Sequence, residues 1–270
     1  MNNTDLKQYV TLYCNQTGLE SERISKLLAD PLRRMINLPA EVKSAQILPV
    51  LILAGWMSTL EEKEAADYIK NQLFPARMVE LGAVFHLVLL ASEIHAAVEE
   101  SAEGDREQES IMLKNGYAIL LGDYLYGKLL KRLCEIECTA RVPMLAQVIA
   151  TMNQGSIRRK QFCEGGAVSW QQARNYLGEE FSTLFVEAVA TGYWLADSSL
   201  QASGLLSRTA FAYGLAWGSR QRSFGRSIIT KADRELRIHL ERITGTIPAA
   251  VTAQAWADKN DHSVQKAFAG

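Results

Sequence analysis

Two long apolar segments near the middle of the chain constrain its fold more than any other feature. Over residues 78–101, apolar residues recur at the helical steps of three and four. A second helical segment covers residues 111–133, and Ala102–Glu107, with Gly104 and several charges, separates the two. At 1.5 Å per residue each helix is roughly 35–40 Å long, which predicts central elements of an all-helical domain. The broad apolar face of the second helix comprises Ile111, Leu113, Ile119, Leu120, Tyr124 and Leu130.

Capping residues, glycines and prolines divide the remaining chain into further helices. Ser169 has the features of an N-cap for a helix that continues to about residue 197. The other predicted helices span residues 3–15, 20–36, 41–58, 60–73, 141–162, 201–218, 230–243 and 247–258. No segment keeps the period-two alternation of a strand, so the prediction is an all-α bundle of about ten helices. We expect one domain over residues 1–270, with N-terminal helices at 1–73, a central bundle at 75–225 and C-terminal helices at 226–260.

The composition is that of an ordinary globular protein. Hydrophobic residues make up 48% and charged residues 22% of the 270 residues, and the net charge is −1. This balance argues against a nucleic-acid groove and against a strongly cationic membrane face. The polar N-terminus lacks an apolar signal region, which predicts a cytoplasmic protein with reduced thiols. Cys134 and Cys138 are spaced as neighbours on one helix face, but no further cysteine pair or nearby histidine supports a zinc site.

Two charged clusters are candidates for binding. Glu93, Glu99, Glu100 and Glu103 lie near the end of the first long helix, and carboxylates of this kind are ligands for Mg²⁺. The alternative, which we favour, is a solvated helix end; Glu99, Glu100 and Glu103 remain weak metal candidates. The basic run 158–160 has the charge to bind a diphosphate, although a solvated helix face is again the simpler interpretation.

The order of several short motifs resembles that of the trans-isoprenyl diphosphate synthases. More closely, the chain resembles the small component, component 1, of the bacterial two-component heptaprenyl diphosphate synthases. The resemblance covers nearly the whole chain and implies a single helical bundle of the isoprenoid-synthase type. The matching residues are Ile94-His95, Leu121-Gly122-Asp123-Tyr124-Leu125, Asn153-Gln154-Gly155, Leu184-Phe185, Ala29-Asp30-Pro31-Leu32 and Leu38-Pro39.

Most of the motif carboxylates of the catalytic relatives are missing at the matching positions. In those relatives two DDxxD motifs on facing helices hold the magnesium ions that bind the allylic diphosphate. The first motif falls on Ala96, Ala97, Val98, Glu99 and Glu100 of this chain. The second falls on Gln221, Arg222, Ser223, Phe224 and Gly225, and the family's Lys-Thr pair falls near Glu180-Phe181. The early Gly-Lys…Arg-Pro motif has no good match around Pro31–Ala45.

The resemblance therefore implies a subunit that is inactive alone, with no catalytic residue and no metal of its own. Ionising an allylic diphosphate requires several positive charges around the leaving group, and these positions no longer hold the ions that supply them. The implied partner is a catalytic subunit, component 2, which binds Mg²⁺ and the prenyl diphosphates and makes a heptaprenyl- or hexaprenyl-type product for the menaquinone side chain. This chain would support the partner and contribute to the control of product length. Residues 78–101 and 111–133 are the candidate interface elements, and membrane contact is peripheral at most. A self-sufficient diverged synthase, or a helical scaffold without prenyl chemistry, are the alternatives.

Overall fold

The computed structural model describes residues 47–60, 76–96, 98, 105–163, 168–202 and 204–243. Within these ranges the chain is helical and contains no strand, which confirms the predicted all-α class. The helices are α1 (Ile47–Met57), α2 (Ala76–Ala96), α3 (Asp105–Glu135), α4 (Val142–Cys163), α5 (Trp170–Leu177), α6 (Thr183–Ala196), α7 (Gly204–Gln221) and α8 (Arg226–Ile243). The helices predicted before residue 41, at 60–73 and at 247–258 lie outside the described residues. The single domain over residues 1–270 stays a prediction.

Helix α2 is the buried centre of the described bundle. Every residue from 81 to 90 is buried, so this helix has apolar neighbours on all sides rather than on one stripe. It packs antiparallel to α3. Arg132 of α3 lies beside Glu80 at one end of the pair, and Tyr126 lies beside Ser92 nearer the other. The helix ends at Ala96, earlier than the predicted residue 101.

The inward face of α3 differs from the apolar face seen in the sequence. Its buried side chains are Ala118, Leu125, Leu129 and Leu133. By contrast, Leu120 is 68% exposed and Tyr124 is 53% exposed. Ile119 and Leu130 of the same predicted face are exposed as well, whereas the side chains of Ile111 and Leu113 lie outside the described residues. Apolar residues lie on two sides of this helix, and packing against α2 buries the side that carries Ala118, Gly122 and Leu125.

Two glycines set the crossing of α1 and α6. A Cβ atom at Gly55 would lie 2.2 Å from the carbonyl oxygen of Val189. One at Gly192 would lie 2.1 Å from the carbonyl oxygen of Ile52. Since both neighbours are backbone atoms, the two helices approach this closely only because neither position has a side chain.

The C-terminal half begins with a capped helix and is closed by α8. Ser169 accepts a hydrogen bond from the backbone N–H of Gln172, and the Gln172 side chain accepts one from the backbone of Ser169, as predicted for an N-cap. A single π-helical turn, Gly178–Ser182, joins α5 to α6. Helix α8 then packs on α7, and in the described part of the chain no helix is long and apolar enough to cross a membrane.

Candidate functional site

The ends of α2 and α7, onto which the resemblance places the two aspartate motifs, meet in the structure. Ala96 is the last residue of α2, and Gln221 is the last residue of α7. Arg222 follows directly, and its two Nη atoms donate to the carboxylate of Glu93 at 2.9 and 2.7 Å. Residues 129 apart in the sequence are thus joined by a bidentate ion pair. Glu93, one turn before the end of α2, and Arg222, directly after α7, therefore belong to one site.

The same arginine also binds a second buried carboxylate. Its Nε donates to Oε1 of Glu180 at 2.8 Å. Glu180 in turn accepts from Nε of Arg159 at 2.8 Å and from Nη2 of Arg159 at 3.3 Å. We call Glu93, Glu180, Arg159 and Arg222 the ionic cluster. Its two carboxylates and two guanidinium groups balance in charge, so the cluster has no formal charge to offer a ligand.

The ionic cluster lies inside the protein. The Glu180 side chain is 4% exposed, and those of Glu93 and Arg222 are 14% and 15% exposed. Burial raises the pKa of the Glu93 carboxyl above its ordinary value, against the opposing effect of Arg222. Burial acts to lower the pKa of Arg222, but the charges of Glu93 and Glu180 outweigh it and leave that pKa raised. Arg222 is therefore a permanent cation in this site.

Local backbone geometry explains how Glu180 comes to face α4 and α7. The π-helical turn Gly178–Ser182 carries it between α5 and α6, and turns of this kind occur often at functional sites. Gly155 of α4 lets that turn come close, since a Cβ atom there would lie 2.6 Å from the backbone nitrogen of Glu180. Arg158, also on α4, pairs with the neighbouring Glu179.

The aromatic ring of Phe181, in the π-helical turn, supports the cluster. The guanidinium carbon of Arg222 lies over the ring of Phe181, 4.9 Å from its centroid. A Cβ atom at Gly218 would lie 2.2 Å from Cδ2 of that ring, so the glycine leaves space for the phenylalanine. The ring of Trp217 meets Phe181 edge-on, with centroids 5.1 Å apart. These contacts hold Arg222 in place beside both carboxylates.

A second polar group joins α2 to α3 next to the cluster. The rings of His95 and Tyr126 stack at 5.5 Å between centroids, and the Tyr126 hydroxyl lies 3.2 Å from Oγ of Ser92. Burial raises the pKa of Tyr126, while hydrogen bonds to Ser92 and Asn153 act to lower it. Asp123 lies 3.5 Å from Nε2 of His95. The motif residues His95, Gly122 and Asp123 thus belong to one helix–helix contact.

Two interpretations made from the sequence are wrong. Glu93 is not part of a solvated helix end, because Arg222 pairs with it away from solvent. In the basic run on α4, Arg159 and Lys160 do not lie on a solvated face, since Arg159 binds Glu180 and Lys160 donates to the carbonyl oxygen of Val98 at 3.0 Å, whereas Arg158 is exposed. No sequence pattern predicts these partners. A weak signal for Glu180 was present, since it lies in an otherwise mostly apolar segment.

The remaining predicted site residues fall at the edges of the site or outside it. Gln221 is half-buried at the end of α7. Gly225 is exposed before α8, and a Cβ atom there would meet nothing within 4 Å. The structure places Ala96 at the last turn of α2, near the cluster. Ala97, Glu99, Glu100 and Glu103 lie outside the residues whose side chains are described.

Magnesium, which the resemblance implies for catalytic relatives, does not fit the ionic cluster. Mg²⁺ needs free carboxylate oxygens in octahedral geometry, and those of Glu93 and Glu180 already accept hydrogen bonds from guanidinium groups. A second positive charge beside Arg222 and Arg159 would be repelled. Elsewhere among the described residues, no group of three or more His, Cys, Asp or Glu side chains is placed to hold a metal ion.

Comparison with solved structures identifies the fold. A geranyltransferase from Legionella pneumophila aligns over 100% of this chain and 99% of its own, with 14% identity and a TM-score of 0.56. A geranyltranstransferase from Thermotoga maritima aligns over 88% and 94%, with 14% identity and a TM-score of 0.53. A deletion mutant of the heterotetrameric geranyl pyrophosphate synthase of mint aligns over 92% and 99%, with 12% identity and a TM-score of 0.51.

The chain has the isoprenoid-synthase fold. No protein-family model matches the sequence, and no curated protein does either. At identities of 12–14% the similarity establishes the architecture alone. Function must therefore be argued from the residues of the site itself.

Proposed function

We propose that this chain is a non-catalytic subunit of a cytoplasmic two-component long-chain trans-polyprenyl diphosphate synthase. The observation that carries the proposal is the position of Arg222, bound to both Glu93 and Glu180 between the ends of α2 and α7. A catalytic site of this fold concentrates negative charge there to hold metal ions. Here a guanidinium group occupies the space between the carboxylates and neutralises them.

The energetic consequence is loss of the chemical step. Departure of a diphosphate from an allylic carbon develops negative charge that preorganised cations stabilise. The guanidinium groups of Arg159 and Arg222 are already committed to Glu180 and Glu93, so they are not free to stabilise a leaving group. Loss of even one such contact typically lowers turnover by a factor of about 10²–10³, and this site lacks several. We infer that the chain has no synthase activity alone and that Mg²⁺ binds in its partner.

A second observation supports a partner. On α3, exposed residues recur at alternating spacings of four and three, the spacing of a helix–helix seam. They are Gly116, Leu120, Asp123, Gly127, Leu130 and Cys134, and we call them the α3 seam. Cβ atoms at Gly116 and Gly127 would meet nothing within 4 Å, which leaves room for a second helix to approach.

Apolar residues extend the α3 seam on both sides. Ile119 is 44% and Tyr124 is 53% exposed, and contiguous apolar surface of this kind marks interaction sites. The occupant we propose is the catalytic subunit, with an obligate interface of roughly 2,000 Å² or more. The mint enzyme of the same fold is heterotetrameric, so this architecture does support assembly from different subunits. We expect the partner to bind this chain through the α3 seam. The pair then makes a heptaprenyl- or hexaprenyl-type diphosphate for the menaquinone side chain.

The experiment is reconstitution. The purified chain is incubated with farnesyl and isopentenyl diphosphates and Mg²⁺, alone and with an aspartate-rich prenyl synthase from the same organism. We expect no product from the chain alone, and a long-chain product from the mixture at a rate well above that of the synthase alone. Product from the isolated chain would refute the proposal in favour of a self-sufficient synthase. If no such synthase binds the chain, the scaffold interpretation replaces it.

A further inference from the structure

The outer face of α8 is predominantly basic. Its exposed charged residues are Arg226, Lys231, Arg234, Arg237, Glu241 and Arg242, five basic and one acidic. At 100° per residue these positions fall within an arc of about 160°. We call this surface the α8 basic face. The chain as a whole has a net charge of −1, so the basic face is a local concentration of charge that the overall balance conceals.

The two other acidic residues of α8 border this face and are half-buried, because each pairs with an arginine of a neighbouring helix. Asp233 pairs with Arg220 of α7 at 2.7 Å, and Glu235 pairs with Arg174 of α5 at 2.9 Å. The apolar side of the helix is buried against the bundle, with Ala232 and Leu236 among its contacts. Packing therefore fixes the orientation of α8 and turns the five basic residues to solvent.

Local charge preferences on α8 are mixed. Arg226 lies in the first turn, where the helix dipole favours acidic residues, but Arg242 lies in the last turn, where it favours basic ones. Lys231, Arg234 and Arg237 repel one another at spacings of three residues, whereas Glu241 lies four residues after Arg237 and attracts it. The stability of the helix therefore does not by itself account for the basic face, and an anionic ligand would.

We infer that the α8 basic face docks on an anionic phospholipid surface. Four of its five basic residues are arginines, whose planar guanidinium groups suit phosphate oxygens. Ile238, 40% exposed among them, adds an aliphatic side chain at the depth of the headgroups. From Arg226 to Arg242 the helix is about 24 Å long, a convex surface rather than a groove.

A lipid surface also suits the product. This part of the argument rests on the proposed function: a long-chain polyprenyl diphosphate is a water-insoluble lipid with an anionic head, and the reaction that consumes it must reach it in a membrane. Docking through α8 would hold the synthase at the membrane that receives its product. Each Lys or Arg that lies near an anionic membrane strengthens the electrostatic binding of a polybasic protein, and salt screens this attraction.

The test is co-sedimentation of the full chain with vesicles. Vesicles of phosphatidylcholine with about one-third phosphatidylglycerol are compared with pure phosphatidylcholine at low and at 0.5 M NaCl. The test variant replaces three basic residues of the face, Lys231→Gln, Arg234→Gln and Arg237→Gln. A control variant removes three exposed basic residues from α2 and α3, Arg77→Gln, Lys128→Gln and Lys131→Gln. Thermal unfolding verifies that both variants are folded.

We expect binding to the anionic vesicles only, released by salt, with a partition coefficient at least tenfold lower in the α8 variant. The control variant should bind within about twofold of the unmodified chain. Equal loss in both variants, binding to neutral vesicles, or binding to duplex DNA in preference to vesicles would overturn the inference. Because the isolated chain is used, the result is independent of the reconstitution assay: either proposal fails or survives without the other.

Discussion

The His95 ring occupies the space that a side chain at Gly122 would need. A Cβ atom at Gly122 would lie 2.1 Å from Nε2 and 2.2 Å from Cδ2 of His95. The ring is held there by stacking on Tyr126, which lies one helical turn further along α3. The contact joins two of the motif segments on which the family resemblance rests, and it fixes the distance between α2 and α3 beside the ionic cluster.

Gly122→Ala should therefore destabilise the protein, although alanine is the better helix former. The added methyl group forces the His95 ring off Tyr126, which we expect to lower the free energy of unfolding by about 1–2 kcal/mol. Urea unfolding followed by circular dichroism measures it. Gly127→Ala, on the same helix with open space around it, is the control and should gain about 0.5–1 kcal/mol. If Gly122→Ala stays destabilising in a His95→Ala background, the clash is not the cause.

Gly192→Ala should be more harmful than Gly122→Ala, because its neighbours are backbone atoms. The new Cβ would lie 2.1 Å from the carbonyl oxygen of Ile52 and 2.6 Å from the backbone nitrogen of Trp56. Separating α1 from α6 loses buried apolar contacts along both helices, at a cost of about 3 kcal/mol or more. The midpoint of thermal unfolding is the measurement, with Gly116→Ala as the matched control. A midpoint equal to that of the control would contradict the close crossing.

These glycines show how far the sequence alone predicts the fold. Periodicity and capping located α2, α3 and the start of α5 at Ser169, because those signals are local. Leu120 and Tyr124 lie on one side of α3, as their spacing predicts, but the side that is buried is the other one. That choice depends on Gly122 admitting His95, a contact between helices that no local pattern contains.

Replacing Arg222 should lower the free energy of unfolding, because two buried carboxylates lose a partner. Arg222→Met leaves Glu93 and Glu180 without their shared partner, and breaking a buried ion pair on one side typically costs about 3–5 kcal/mol. Without the guanidinium group, burial and the charge of Glu180 raise the pKa of Glu93 further above its unfolded value. A carboxyl group whose pKa is higher in the folded than in the unfolded protein stabilises the fold at pH values below the unfolded pKa. That stabilisation is lost as the pH rises through the folded pKa. The variant should therefore gain stability, relative to its control, as the pH falls from 8 towards 5.

The control for this prediction is the double variant Glu93→Gln/Arg222→Met, which lacks the titrating carboxyl. The free energy of unfolding of both variants is measured in urea at several pH values, and their difference removes the titration of other groups. A pH-independent difference would mean that Glu93 does not titrate near neutral pH in the absence of Arg222. Recovery of stability in the double variant at pH 8 would support the ionic cluster as the origin of the effect.

The two cysteines whose side chains the structure describes should differ in reactivity. Cys134 is exposed on α3, whereas Cys138 lies beyond the end of that helix, fully buried, so the two thiols do not share the helix face that the sequence suggested. Burial raises the pKa of the Cys138 thiol, which lowers its thiolate fraction. In a Cys14→Ser/Cys163→Ser chain, a maleimide should label one thiol in minutes and the second only in urea. Equal labelling of both in the native protein would contradict the burial of Cys138.

The ionic cluster was less predictable than the helices that carry it. Arg222 and Glu180 were both singled out in the sequence, as departures from the motifs of catalytic relatives. Their pairing was not, since Glu93, Glu180 and Arg222 come from three helical segments whose ends meet only in the folded chain. A charged residue in a sequence is solvated by default, and only burial with a partner turns it into a site.

The α3 seam gives the last prediction, since its residues are exposed in the chain alone and covered in the proposed pair. Leu120→Glu/Leu130→Glu should leave the unfolding midpoint of the isolated chain nearly unchanged, because both side chains already face solvent. The same charges buried against a partner helix would be desolvated, so co-purification with the catalytic subunit should be lost. Synthase activity of the mixture should fall to that of the catalytic subunit alone. Ile157→Glu, at an apolar residue of α4 that is 55% exposed, is the control and should assemble normally. Normal assembly of the seam variant, or equal loss in the control, would place the partner on another surface.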